Sequence, residues 1–396
     1  MSTSPVASAP PAWVLSGGGS RVEIWGLAAE ERARRSLERA GCSPVSIVEA
    51  TTAPTLPHGA SLIVFRGDVV ADERLVSALA ARPDTVLATS DLGPVAGHVP
   101  RERAGELVRL LQSAAPRSCL ADVQRVDAAE LAPAYVAKLR KWQPAFVYPA
   151  CPERVREIES RLFAASYKGT TDLVTKWIWP RPAAAVTRVC ARAGIHPNGV
   201  TLASWFLAIA ALALFAKGHF GSGLVAAWLM TFLDTVDGKL ARVTLTSSRV
   251  GDVLDHGLDL LHPPFWYLAW GIGLPHGVDA ATVVVVAGYL AGRLLEGAFL
   301  AAFGMETHSW RPIDSLFRTI TARRNPNLIL LTVGALGGRP DLGMWMVALW
   351  TAISLGFHAV RLLQAFALRR RGESVTAWEA ERAMGLQTRE GAERSS

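Results

Sequence analysis

The sequence predicts an α-helical polytopic membrane protein, with six transmembrane helices behind an N-terminal cytosolic α/β domain. Three observations carry that expectation. Apolar runs recur from Thr201 onward and are absent from the first 150 residues. Basic residues gather on alternate connections between those runs. In the region 12–115, short buried-strand patterns alternate with amphipathic helical ones.

The α/β region comes first. "AWVLSG", "VSIVEAT", "SLIVFRGD" and "TVLATSD" have the short apolar character of buried strands, and "AAEERARRSLERAG" and "DERLVSALAAR" have helical periodicity. Such alternation predicts a parallel sheet with crossover helices over residues 1–115. Residues 116–198 read as a connector, with helices expected at "DAAELAPAYVAKLRKW" and "CPERVREIESRLFAAS". Next comes "YKGTTDLVTKWIWPRP", dense in aromatic and basic residues, whose Trp177 and Trp179 suit the headgroup region of a bilayer. "PAAAVTRVCARAG" continues as a surface helix that turns Arg188 and Arg192 toward lipid phosphates.

A helix needs roughly 20 mainly apolar residues to cross a bilayer. Spans are expected near 199–216, 222–245, 251–274, 280–304, 325–338 and 341–367, the fifth having the shortest apolar run. They make up a domain over 199–370, followed by a polar tail over 371–396 expected to hang loosely.

The formal net charge of +7 has a topological meaning. Arginines and lysines crowd two connections and both flanks of the helical region, while "AKGHFGSG", "GIGLPHGVDA" and "GGRPDLG" hold only Lys217 and Arg339. That asymmetry places both termini in the cytoplasm of a multi-pass protein of the cell (inner) membrane, and argues against a nucleic-acid partner. The N-terminus lacks the basic-then-apolar order of a cleaved signal peptide. Cys42, Cys119, Cys151 and Cys190 share no metal-type spacing and are read as unpaired thiols.

Four aspartates interrupt the apolar pattern in "FLDTVDGKLARVTLTSSRVGDVLDHGLDLL". Asp234 and Asp237 are three apart and share one helix face; Asp255 and Asp259, four apart, share a face of the next helix. Both pairs lie toward the cytoplasmic end of adjacent antiparallel helices, so they can converge. Clustered carboxylates repel unless cations neutralise them, and hard divalent ions with oxygen ligands, Mg²⁺ or Mn²⁺, do so. Two such ions are the usual clamp for displacement at phosphorus. Gly238 and Gly251 allow close approach, and Arg242 offers a fork suited to phosphate oxygens. The plain alternative is four solvated residues at helix ends.

The same stretch is identified as a member of the CDP-alcohol phosphotransferase family. It follows the family signature D-x2-D-G-x2-A-R-x8-G-x3-D-x3-D without departure, at Asp234, Asp237, Gly238, Ala241, Arg242, Gly251, Asp255 and Asp259. "HPNGVT" resembles the family's approach to its first span, with Pro197, Asn198 and Thr201 in place. The resemblance implies a six-helix enzyme, usually a homodimer. It would move a substituted phosphoryl group from a CDP-alcohol donor to an alcohol acceptor and release CMP. The aspartates would hold two divalent ions, with Asp259 also the general base. Asn198, Thr201, Asp237, Gly238, Ala241, Arg242 and Gly251 would bind CDP.

For the acceptor, Arg293 and Glu296 stand mid-span, where charge is costly unless it faces a cavity, and His358 and Arg361 stand in the sixth span. Arg293 and Arg361 are candidates to hold an acceptor phosphate; a structural Arg293–Glu296 pair, with Arg361 reaching for the interface, is the alternative. "SGGGSR" with Gly17, Gly19 and Arg21, and "FRGD" with Asp68, resemble a degenerate sugar-phosphate nucleotidyltransferase. The lysine expected after that glycine loop is absent. Fused to this membrane part, such a domain resembles bifunctional inositol-phosphate cytidylyltransferase/di-inositol-phosphate phosphate synthases, and "YKGTTD", with Lys168, Thr171 and Asp172, is similar to their K-P-T-D-G junction. This favours a phosphorylated acceptor and leaves open a first domain that makes the CDP-alcohol from CTP. A cation transporter would be expected to show repeated halves with broken helices, which are not seen. A non-catalytic membrane scaffold would not need the complete signature.

Overall fold

A computed structural model describes residues 10–16, 22–49, 61–113, 119–136, 139–247 and 249–382; between 249 and 260 it describes the backbone and not the side chains. The glycine loop with Gly17, Gly19 and Arg21 lies outside the described residues. The chain divides into two compact units: Met1–Val136 with Trp142–Ser166 and Val243–Leu245, and Ala137–Lys141 with Tyr167–Arg242 and Thr246–Ser396.

The first unit is built on β1 (Ala12–Leu15), β2 (Glu23–Ile24), β3 (Leu27–Ala28), α1 (Ala29–Arg39) and β4 (Val45–Val48). β5 (Ser61–Arg66), β6 (Val69–Ala71), α2 (Glu73–Ala80), β7 (Thr85–Thr89), β8 (Gly93–Pro100), α3 (Ala104–Gln112) and β9 (Gln124–Val126) follow. Six strands form one sheet in the order β4-β1-β5-β8-β7-β9. β1 runs parallel to β4 and β5, whereas β8 is antiparallel to β5 and β7. The sheet is therefore mixed, not parallel as expected. The cause is local: Thr89 Oγ1 accepts from Leu92 N at 3.0 Å and Gly93 adopts φ 65°, closing a hairpin that turns β8 back. The glycines and prolines of "GPVAGHVP" hid that strand, which is buried from Gly93 to Val99.

The helix expected over 127–142 is mostly absent. Asp127 caps α4 (Ala128–Leu131) by accepting from Glu130 N, but Ala132, the residue before Pro133, is extended. A residue preceding proline is pushed out of the α region, and the chain goes on as β10 (Tyr135–Val136), β11 (Lys141–Trp142) and β12 (Val147–Pro149). α5 (Val155–Ala165) fastens to the β2–β3 hairpin through Glu159, which accepts from Trp25 N and Nε1 at 3.1 Å each, while Phe163 stacks on the Trp25 ring.

The second unit is helical: α6 (Pro180–Arg192), α7 (Pro197–Ala216), α8 (Phe220–Val243), α9 (Arg249–Gly273), α10 (Ala280–Phe303), α11 (Pro312–Phe317), α12 (Arg324–Leu336) and α13 (Pro340–Arg370). α6 is the expected surface helix, with Ala183, Thr187, Cys190 and Ala191 buried on one side and Val189 exposed. Trp177 is 65% exposed ahead of it. His196 caps α7 by accepting from Asn198 N, and Pro197 occupies its first turn.

Helices stand at all six expected apolar runs. Among the described residues three of them, Pro197–Ala216, Ala280–Phe303 and Pro340–Arg370, are long and apolar enough to cross a membrane. α8 gives its last turns to the charged signature, α9 opens on it, and α12 has only 13 residues. The core gathers Phe215, Met230, Trp266, Trp270 and Met344, with Trp266 Nε1 donating to Ala208 O at 2.8 Å. α12 and α13 meet where a Cβ on Gly334 would come 2.4 Å from the Cα of Gly343, so only glycine fits. The tail is held as far as it is described: Trp378 Nε1 donates to Ser315 Oγ at 3.0 Å.

Candidate active site

The last turns of α8 present the first half of the acidic signature. Asp234 pairs with Arg324, which opens α12. One turn on, Asp237 is 4% exposed and accepts from Thr201 Oγ1 at 2.7 Å. Thr201 thus reaches the site through a carboxylate it orients. Gly251, Asp255 and Asp259 lie on α9, and their side chains are outside the described ones.

Asp234, Thr235, Gly238, Lys239 and Arg242 form one wall of a cavity of about 480 Å³, within the size range of small-molecule sites. Asn198 and Ala241 are not on its wall; Asn198 is half-buried at the start of α7. A Cβ built on Gly238 meets nothing within 4 Å. The second wall is the junction Tyr167–Thr175, the third comes from α10 with Arg293 and Glu296, and Arg318, Arg323 and Arg324 close it. Eight lysines and arginines line it against four carboxylates, Asp172, Asp234, Glu296 and Glu306. Such a wall attracts polyanions.

Most of these charges are engaged. Glu296 is shared by Arg293 at 2.7 Å and Arg323 at 2.6 Å. Glu306 binds His308 at 2.6 Å and also meets Arg140. Its carboxyl is shifted to about 2; burial opposes that shift, and His308 and Arg140 outweigh it. Burial pushes His308 down to about 4 despite Glu306. Asp172 accepts from Val174 N, Thr175 N and Thr175 Oγ1, and from Asn325 Nδ2 at 2.9 Å. Burial would raise its pKa, but the bonds from Asn325 and Thr175 prevail and lower it. The junction is thereby pinned to the first turn of α12, and Leu173 N adds a bond to Thr319 O at 2.9 Å.

Arg361 is engaged away from the cavity. Its guanidinium binds Asp314 through Nε at 2.6 Å and Nη2 at 2.7 Å and lies 4.1 Å from the Trp310 ring centre. Arg293 does face the cavity and also pairs with Glu296. Sequence reasoning counted Arg318, Arg323 and Arg324 only as topological charge. Their density on one short connection, beside the arginine and glutamate of α10, was the signal available.

In the first unit Asp68 is gripped by Arg66, whose Nε and Nη2 donate at 2.9 and 2.7 Å.

Residues 194–356 match the model of the CDP-alcohol phosphatidyltransferase family. The chain is 28% identical over 186 residues to the phosphatidylinositol phosphate synthase of Mycobacteroides abscessus, covering 43% of this chain and 79% of that protein. It is 32% identical over 182 residues to a bifunctional IPC transferase and DIPP synthase of Rubrobacter xylanophilus, covering 44% and 38% respectively. A crystal structure of Mycobacterium tuberculosis phosphatidylinositol phosphate synthase with CDP-DAG bound aligns at a TM-score of 0.37 and 22% identity, over 46% of this chain and 94% of that one. The similarity to CDP-alcohol phosphatidyltransferases thus runs through the helical unit, and the protein is a membrane transferase of substituted phosphate groups.

Proposed function

We propose that the protein transfers a phosphatidyl or comparable substituted phosphoryl group from a CDP-alcohol to an acceptor alcohol, releasing CMP, in a cytoplasm-facing cavity of a six-span homodimer. The observation that carries this is Asp234 on the wall of a strongly basic cavity, with the buried Asp237 one turn on, in a chain with the complete eight-position signature. Relatives named as phosphatidylinositol phosphate synthases support a phospholipid product.

The donor set fits hard divalent cations, since Asp234 and Asp237, a turn apart, supply anionic oxygens only. Asp234, Asp237, Asp255 and Asp259 would hold two ions, Mg²⁺ or Mn²⁺, which when bound would neutralise the donor diphosphate and the charge growing on departing CMP. Thr201 holds Asp237 in place by its hydrogen bond. Gly238 leaves room for the diphosphate, and Arg242 offers its fork to phosphate oxygens. Asp259 takes the proton of the acceptor hydroxyl as its oxygen attacks the donor's β-phosphorus, and the CMP phosphate leaves with the bridging oxygen.

The test is CMP release by the full chain in detergent, with CDP-diacylglycerol, Mg²⁺ and a panel of alcohols, beside Asp259→Asn. Acceptor-dependent CMP that disappears in the variant is the expected result. CMP release that Asp259→Asn leaves intact would remove the general-base assignment.

A further inference from the structure

The end of α8 is completed by side chains from α1. The last residue of α8, Val243, and the two that follow it, Thr244 and Leu245, belong to the first compact unit. Thr246 N donates to Ala241 O at 3.0 Å, the closing bond of a helix C-terminal turn, with Leu245 at a left-handed φ of 57°. Glycine is the usual residue at that position, because a side chain is disfavoured at positive φ. The carbonyls that end a helix also need partners. Here Arg32 Nη2 donates to Val243 O, and Arg35 Nη1 donates to Thr244 O at 3.0 Å. Two cations at this end suit the negative pole of the helix as well.

Both arginines are firmly held. They stand three apart on α1 and so share one side of it. Ala33 and Leu37 of the same helix are buried in the core with Ile63, Phe65 and Leu75. Arg32 is 4% exposed, and its Nη2 also donates to Ile24 O on β2 at 3.0 Å. Arg35 is oriented by Glu31, which accepts from its Nε at 2.7 Å. The neighbouring Arg34 binds Glu31 and Glu38 instead.

The carbonyls they hold lie between the two halves of the acidic signature. Asp234 and Asp237 stand on α8, and Asp255 and Asp259 on α9, which begins at Arg249. Four carboxylates can share ions only if the helices that carry them keep one register and one spacing. A leucine at positive φ persists where its surroundings enforce it, and α1 supplies that enforcement.

We propose that Arg32 and Arg35 are positioning residues for the transferase: they fix the connection between α8 and α9, and with it the register between the helix of Asp234 and Asp237 and the helix of Asp255 and Asp259. This rests on the transferase reading above. It gives the first unit a part in the reaction that needs no active site of its own.

The test uses the full chain in detergent, with Arg35→Gln, Arg35→Lys, Arg32→Gln and, as a control, Arg34→Gln. Amide exchange is followed at 244–247. Mn²⁺ binding is read from the electron spin resonance of the free ion. The Mg²⁺ concentration that half-activates CMP release from CDP-diacylglycerol is measured beside them. Arg35 is half-buried, so Arg35→Gln leaves the core alone. It should speed exchange by about fivefold or more, the worth of one hydrogen bond, and weaken Mn²⁺ by a similar factor. The half-activating Mg²⁺ should rise by about fivefold, with Tm little changed. Arg35→Lys should recover part of the loss, and Arg34→Gln should behave as wild type. Arg32→Gln should show the larger effect wherever it folds. A folded Arg35→Gln protein with wild-type exchange and wild-type metal dependence would overturn the proposal. Faster exchange with both metal readouts unmoved would overturn it too, because the arginines would then only fasten the chain. Arg34→Gln matching Arg35→Gln would do the same, since a weakened α1 would account for both. A wild type that bound no Mn²⁺ and released no CMP would sink the transferase reading, while exchange would still show whether α1 holds the connection.

Discussion

Gly238→Ala separates what α8 needs for folding from what it needs for its ligand. Gly238 lies within Phe220–Val243, where glycine is about 1 kcal/mol less favourable than alanine. The new methyl would enter open space, with no atom within 4 Å. Folding should therefore gain on the order of 0.5–1 kcal/mol, raising Tm in detergent by about 1–4 °C. The ligand should suffer, because that space is the cavity wall beside Asp234 and Arg242. Forcing a methyl into a filled contact typically costs about 1–3 kcal/mol, which corresponds to about 5- to 150-fold in donor kcat/KM. Thermal unfolding and CMP release, measured on the same preparation, read both effects. Wild-type kcat/KM in a stabilised Gly238→Ala protein would mean that no diphosphate comes near this wall, and the CDP assignment would fall. A Tm lower by several degrees would show that the space is needed by the protein itself.

Four further outcomes follow from single contacts. Thr201→Val removes the hydroxyl that donates to Asp237, and should weaken metal-dependent activation about tenfold while Tm changes little; an unchanged Mg²⁺ dependence would free Thr201 from that role. Arg361→Gln strands the carboxylate of Asp314, buried to 1% exposure, so Tm should fall by several degrees and acceptor KM should stay; a raised KM with normal Tm would return Arg361 to the substrate. Asp172→Ala releases Thr175 and Asn325, and should loosen the junction, read as faster amide exchange at 172–176. His308 is held near 4, below its ordinary 6.5, so the unfolded chain takes up a proton first as pH falls through 6.5. Stability should decline from pH 6.5 toward 4, by up to about 1.4 kcal/mol per unit. His308→Gln should flatten that slope in a plot of Tm against pH; an unaltered slope would place the titration elsewhere.

The legible part of this fold was the part written in long periodic runs. Helices stand at each apolar run because a stretch of Leu, Ala and Val has few ways to bury its backbone other than helix, and Gly194, Gly218, Gly304 and Gly338, all at positive φ, mark where runs stop. β8 was illegible because its glycines and prolines read as a loop, while its burial comes from neighbours far off in sequence. The helix through Pro133 failed for the opposite reason, since a plain helical periodicity was overruled by one ring. The acidic signature was legible because fixed spacing puts its members on one face. Arg318 and Lys168, 150 positions apart, have no shared pattern; a cavity had to bring them together.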